Sequence, residues 1–209
     1  GRRSAAAVGD LLDSARPFVY LQRHVDERQL ENLRQPAFEG VFEQREVRRH
    51  YPYGSLAGQF LGFTDVDNRG REGLELTFDD QLAEQTGTAQ SCVDSRGNIL
   101  PDRSQPTAEP RNGAGVQLTL DVVIQGILEE ELARTVTDTE AESALGIITD
   151  PTTGDILALA SVPLFDPNDP GAAPADHRRN RLITDPFEPG STFKPITMAA
   201  VLEADATAA

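Results

Sequence analysis

Two apolar runs, Ala144 to Thr149 and Ile156 to Ser161, flank the turn-rich hexapeptide Asp150-Pro151-Thr152-Thr153-Gly154-Asp155. Each run is short enough to be a strand and too uniformly apolar to leave one face in water. The pair therefore predicts a β-hairpin whose strands lie inside a sheet rather than at its wet surface. Just upstream, Val116 to Leu120 reads as a strand. Asp121 can then cap a helix that carries Ile124, Ile127, Leu128 and Leu132 at spacings of three and four. Downstream, Asp166 to Asn180 is a long polar loop. A last helix is predicted from Ser191 through about Leu202.

The first half of the chain is patterned differently. Residues 17–25 alternate like a half-buried strand. Asp26, with Gln29 three residues on, is a capping-box signal for a helix through about Arg34, and Pro36 stops it. Val41 to Tyr51 alternates again and reads as a second strand. Gly54 to Leu61 looks like a short helix ended by Gly62, and 65–73 is a loop of Asn, Gly and charge. Gly73 to Gln85 reads as an amphipathic helix with Leu74, Phe78 and Leu82 on one stripe. Ser95-Arg96-Gly97-Asn98 is a hairpin signal inside Gln90 to Leu100. Pro101 to Gly115 is rich in Pro, Gly, Ser and Asn, and is the best candidate for a domain boundary.

Composition narrows the class. At 38% apolar residues the chain suits an ordinary globular fold. No stretch approaches the eighteen or so unbroken apolar residues of a membrane span. The beginning at Gly1 and the finish at Ala209 lead us to expect an internal fragment, with any targeting segment upstream. Cys92, the single cysteine, cannot close an internal disulfide, and no Cys/His cluster has metal-ligand spacing. His24, His50 and His177 lie among arginines and are expected on the solvated surface. Residues 61–209 hold ten basic residues against twenty-six acids, which repels nucleic acid and anionic lipid.

Eighteen of the nineteen basic residues are arginine; the one lysine is Lys194. Arginine keeps its proton at physiological pH, whereas a lysine amine can lose one in suitable surroundings. Ser191 precedes it by three, within Glu188-Pro189-Gly190-Ser191-Thr192-Phe193-Lys194-Pro195. On a helix the two share a face, one turn apart. Ser191 would sit at the helix start, where unpaired N–H groups and the dipole favour developing negative charge. A neutral Lys194 amine could take the Ser191 proton and make the hydroxyl a nucleophile, with backbone N–H groups holding the oxyanion. That arrangement suits acyl transfer. A free lysine amine with pKa ~10.4 needs about 4 kcal/mol of differential environment to become an effective base at neutral pH. Pro195 disfavours helical geometry at Lys194, so the first turn is expected to be tight or 3₁₀-like. Taken alone, Ser-x-x-Lys is also what an N-capping serine and a surface lysine look like.

The context decides between those readings. Arg179-Asn180-Arg181 and Thr184-Asp185-Pro186-Phe187-Glu188-Pro189-Gly190-Ser191-Thr192-Phe193-Lys194-Pro195 resemble the active-site approach of the class B penicillin-binding proteins. Leu118 to Asp121, Asp150 to Ala158 and Phe165-Asp166-Pro167-Asn168 resemble the segments that precede it in that family. Arg49-His50-Tyr51-Pro52-Tyr53-Gly54, Leu61-Gly62-Phe63-Thr64-Asp65-Val66-Asp67 and Gly70 to Phe78 are similar to its non-catalytic pedestal. The Phe-Thr-Asp-Val-Asp wording is most like the cell-division (septal) type.

The resemblance implies an α+β pedestal of the dimerisation type over residues 1–113. Residues 114–209 would then be the start of an α/β transpeptidase domain, of the serine β-lactamase-like kind, truncated after the Ser-x-x-Lys helix. It implies Ser191 as the acylated nucleophile and Lys194 as the general base, with no metal or organic cofactor. The implied partners are the D-Ala-D-Ala end of a peptidoglycan stem peptide, β-lactam antibiotics, a membrane glycosyltransferase and other proteins of the division machinery. The implied location is the periplasmic face of the inner membrane, with the anchor outside this chain. The family's Ser-x-Asn and Lys-Thr-Gly motifs do not occur in these residues. The chain by itself is accordingly expected not to catalyse. A β-lactamase or β-lactam sensor relative, and a non-catalytic module that binds division proteins, are the alternatives. Asp150, Asp166 and Glu188 are given no chemistry.

Overall fold

The computed structural model describes residues 4–207 apart from 14–15, 17, 35–39, 45, 86, 94–98 and 110. In chain order the elements are α1 (Ala5–Leu12), α2 (Glu27–Arg34), α3 (Gly58–Leu61), α4 (Gly73–Thr77), α5 (Asp79–Leu82), β1 (Thr88–Val93), β2 (Ile99–Ala108), α6 (Val122–Thr139), β3 (Ala144–Thr149), β4 (Ile156–Val162), α7 (Ala175–Arg178), α8 (Arg181–Thr184), a 3₁₀ turn (Gly190–Phe193) and α9 (Lys194–Thr207). Packing groups them into two units, residues 1–50 and 51–209.

In the first unit, α2 begins as its cap signal predicts, with the Gln29 N–H donating to Asp26 Oδ1 at 2.7 Å. The strands read at 17–25 and 41–51 do not form among the described residues. Alternation supplies two faces but no neighbour to pair with, and a strand needs both. His24 turns out of the extended region at φ 54°. Phe18 and Tyr20 instead meet edge to face at 4.9 Å, Arg23 lies over the Tyr20 ring at 4.9 Å, and Arg23 Nε pairs with Glu46 at 2.7 Å. His24 is half-buried rather than solvated, and its Nε2 is a buried atom without a hydrogen bond.

In the second unit the predicted hairpin is β3–β4, antiparallel, with Ile147 opposite Leu159 and an irregularity between Ile148 and Thr149. β4 is buried along most of its length, whereas β3 alternates between half-buried and exposed residues. The turn is held by Asp150, whose Oδ1 accepts from the Thr152 hydroxyl at 2.6 Å and the Thr152 N–H at 2.7 Å. Those bonds, the hydroxyl first, hold the Asp150 carboxyl below its usual range. The expected helix is α6, capped by Asp121 Oδ1 accepting from Val123 and Ile124 N–H groups at 2.8 and 3.0 Å. It packs on both hairpin strands, with the Leu128 and Leu132 methyls over Gly146. Ile127, read as part of the apolar stripe, is exposed.

Three other readings change. Val116 to Leu120 joins no ladder, although the Thr119 hydroxyl donates to Ile156 O at 2.6 Å and Asp121 N–H to Leu157 O at 2.9 Å. The helix read over Gly73 to Gln85 is broken into α4 and α5 at Phe78 (φ −109°, ψ 18°), although Leu74, Phe78 and Leu82 are all half-buried as the stripe requires. The hairpin at Gln90 to Leu100 exists as β1–β2, but β2 continues to Ala108 through what composition marks as linker. A two-stranded ladder leaves one edge free, so Pro101 and Pro106 can be accommodated. The Ser95–Asn98 turn lies outside the described residues.

Residues 51–62, read with the pedestal, pack against α6 and β4. Their turns feed α3, shorter than predicted and closed at Gly62 as expected. Among the described residues the buried apolar ones are Tyr51, Ala57, Ala158, Leu159, Ala160, Val162 and Phe165, so the core of this unit lies where segment 51–62, α6 and β4 meet.

Candidate active site

Pro189 and Gly190 turn the chain into the segment with the expected chemistry. Thr192 N–H donates to Pro189 O at 3.0 Å, and Lys194 N–H donates to Ser191 O. Both bonds reach back three residues, which makes the first turn 3₁₀ as Pro195 led us to expect. Lys194 itself is helical at φ −59°, ψ −41°, so the proline tightens the turn before it without expelling it from the helix. Residues three apart in a 3₁₀ turn eclipse, so Ser191 and Lys194 occupy one edge on successive rungs. Both are exposed, and among the described residues no hydrogen bond joins the Ser191 hydroxyl to the Lys194 amine. Glu188 is exposed nearby, and Asp166 serves the loop by accepting from the Asn168 N–H and side-chain amide at 2.8 Å each.

The chain reaches Ser191 through a loop gripped from segment 51–63. Gln59, 6% exposed, donates from Nε2 to Pro163 O at 2.8 Å and to His177 O at 2.9 Å. Midway, Asn168 accepts from Tyr51 N–H at 3.0 Å and donates to Tyr51 O at 2.9 Å. The Arg178 guanidinium donates to Pro170 O at 2.8 Å and lies 5.5 Å from the Phe63 ring, which itself packs edge to face on Phe165 at 6.2 Å. His177 is thus half-buried beside the clamp rather than solvated.

A second buried polar set holds segment 51–62 in place. Gln125 and Glu129 sit one turn apart on α6, and both are buried. Glu129 Oε1 accepts from Ala57 N–H and from Gln125 Nε2, each at 2.7 Å. Gln125 also donates to Leu159 O at 2.9 Å and accepts from Leu159 N–H at 2.8 Å. Sequence reasoning missed all four polar residues: Gln59, Gln125, Glu129 and Asn168. The available signal was that Gln125 and Glu129 continue, at i+7 and i+11 from Gln125, into Leu132 and Val136 of an inward stripe.

Burial raises the Glu129 carboxyl above its ordinary value, opposed by the Gln125 and Ala57 bonds. For a carboxyl raised on folding, the native state holds the proton more tightly. Its stabilising contribution is full below the unfolded value of about 4.5 and is lost as pH rises through the higher folded value. Glu129→Gln keeps an oxygen acceptor but cannot ionise. Its stability relative to wild type should therefore improve from pH 4.5 to pH 7.5 in urea melts, and a constant difference would refute the linkage. Glu129→Leu strands the Ala57 N–H and the Gln125 amide and should cost about 2–4 kcal/mol at pH 4.5, and less at pH 7.5, since leucine also escapes the ionisation that weakens wild type there.

The model of the penicillin-binding protein dimerisation domain matches residues 12–118, and that of the penicillin-binding protein transpeptidase domain matches residues 144–208. Over 198 residues the chain is 38% identical to the Probable peptidoglycan D,D-transpeptidase PenA of Neisseria meningitidis, a span of 94% of this chain and 34% of the relative. It is 34% identical over 186 residues to the peptidoglycan D,D-transpeptidase FtsI of Escherichia coli, 89% of this chain and 31% of that one. Among solved structures, penicillin-binding protein 3 of Mycobacterium tuberculosis complexed with aztreonam superposes with a TM-score of 0.62 at 30% identity, over 75% of this chain and 31% of that one. The chain spans about a third of the length of the curated relatives it matches. With the dimerisation-domain model over residues 12–118 followed by the transpeptidase-domain model over residues 144–208, in the order the motifs require, this chain belongs to the class B penicillin-binding proteins.

Proposed function

We propose that the protein is a peptidoglycan D,D-transpeptidase in which Ser191 attacks the D-Ala-D-Ala end of a stem peptide. The hydroxyl proton passes to Lys194, the carbonyl carbon bonds to Ser191 Oγ, and the terminal D-alanine leaves with a proton on its nitrogen. An amine on a neighbouring stem then takes the acyl group and restores the hydroxyl. The observation that carries this reading is the Ser191–Lys194 edge at the mouth of a helix, with the chain's one lysine on it. A β-lactam would stop at the acyl-enzyme on the same serine.

The reading places a pedestal at residues 1–113 and the opening portion of the catalytic domain at 114–209, an order supported by the two family matches, of which the first ends at residue 118 and the second begins at 144. It further assigns the protein to septal wall synthesis, on the resemblance of residues 61–67 to the cell-division type and the likeness to FtsI. On the same resemblance the protein would be anchored in the inner membrane, face the periplasm, and work beside a membrane glycosyltransferase of the division machinery. Among the described residues no helix is long and apolar enough to cross a membrane.

Fluorescent penicillin tests the proposal on the full-length protein. Wild type should be labelled stoichiometrically and Ser191→Ala should fall to background. Equal labelling of the two would remove Ser191 from its role, and rapid loss of label from wild type would favour the β-lactamase alternative.

A further inference from the structure

The Pro163–His177 loop begins and ends on one side chain. Gln59 has a single amide nitrogen with two hydrogens, and it spends both on main-chain carbonyls that lie 14 residues apart in the chain. The side chain is buried, so water cannot take over either bond at little cost. Beyond His177 the chain passes α8, which rests on β3 and β4, and then reaches the 3₁₀ turn of Ser191. The clamp therefore fixes where the approach to the nucleophile starts. Its own footing is fixed too: Ala57, two residues before Gln59, is tied by its N–H to Glu129 on α6.

We propose that Gln59 is a positioning residue for acylation of Ser191, its one amide closing the loop that delivers the chain to the nucleophile. The inference rests on the acyl-transfer reading above. Ser191 is exposed and its hydroxyl makes no hydrogen bond among the described residues, so the placement of that hydroxyl is set by the backbone that carries it, which the Lys194 N–H to Ser191 O bond shapes. Acyl transfer is sensitive to displacements of about 1 Å, on the order of a hundredfold in rate. An opened loop should slow the bond-forming step while leaving the encounter with the ligand alone, because among the described residues the Gln59 amide bonds only to main-chain carbonyls of the loop.

The test uses full-length wild type with the Gln59→Met and Gln59→Glu variants. Methionine keeps the length and volume of glutamine without donors, and glutamate keeps its shape with oxygen in place of the donating nitrogen. Stopped-flow labelling with fluorescent penicillin separates the non-covalent dissociation constant from the acylation rate constant. The expected result is about a tenfold fall in the acylation rate constant for both variants, with the dissociation constant within twofold of wild type. A variant that is merely less folded loses labelled fraction rather than rate constant. A folded variant whose acylation rate constant stays within twofold of wild type overturns the proposal. So does failure of both variants to fold, which would make Gln59 a determinant of the fold only. Wild type that is not labelled at Ser191 would sink the transpeptidase reading and this inference with it; labelled wild type with unaltered variants sinks the inference alone.

Discussion

Replacing Lys194 by arginine in the full-length protein should lower the rate of acylation by penicillin by about 10³-fold while leaving the melting temperature unchanged. The substitution keeps the positive charge and adds reach, but a guanidinium does not give up its proton at any pH the protein tolerates. Loss of a general base costs about 10²–10⁴ in rate, so the change isolates proton transfer from electrostatics. The position permits this clean comparison. Lys194 is exposed at the start of α9, and surface substitutions away from caps and cores fall within about 0.5 kcal/mol. Acylation that stays within a few-fold of wild type would show that another group takes the Ser191 proton. Labelling restored at high pH in Lys194→Arg would point the same way, since arginine has nothing to titrate there.

The largest effect on folding is expected from Gly62→Ala. Gly62 ends α3 at φ 75°, ψ −161°, a region closed to residues with a Cβ. Space is missing as well: a Cβ there would lie 1.8 Å from Glu72 O and 2.8 Å from Gly73 N, main-chain atoms that cannot swing aside. The whole crossing of α3 and α4 would have to separate. We expect a loss above about 4 kcal/mol, comparable with the entire stability of a marginal domain, and hence insoluble or unfolded protein. Gly154→Ala is the control. Gly154 also has positive φ, 81°, but nothing lies within 4 Å of the added carbon, so only the backbone preference of about 1–2 kcal/mol is lost. Circular dichroism and urea melts of the two variants separate conformation from collision, and similar losses in both would discard the steric account.

What could be read from the residues follows from the range of the interactions involved. The β3–β4 hairpin, the Asp26 and Asp121 caps and the tight turn at Ser191 are decided by neighbours within a few positions, and each is where its pattern puts it. The three strands that do not form among the described residues, at 17–25, 41–51 and 116–120, have strand-like alternation, but pairing depends on a distant partner that alternation cannot name. The break at Phe78 escaped notice because α4 and α5 keep the same apolar stripe through it. At the site, Ser191 and Lys194 were legible as a three-residue spacing. Gln59, Glu129 and Asn168 were not, because their partners lie 118, 72 and 117 residues away, and only Glu129 carries a local mark of burial, its place on the inward stripe of α6. The placement of segment 51–62 against α6 and β4 escaped for the same reason.

The bonds along one side of β4 settle which way its sheet can grow. Ile156 O, Leu157 O and both main-chain polar groups of Leu159 are taken by Thr119, Asp121 and Gln125 respectively. On that margin the glutamine amide plays the part of a peptide unit, so an incoming strand would find its docking points engaged and would have to break buried bonds to add on. The margin of β3 carries no such seal among the described residues. The hairpin is therefore a one-sided template: further strands, whether of its own domain or of a misassembled neighbour, are admitted next to β3 and turned away at β4.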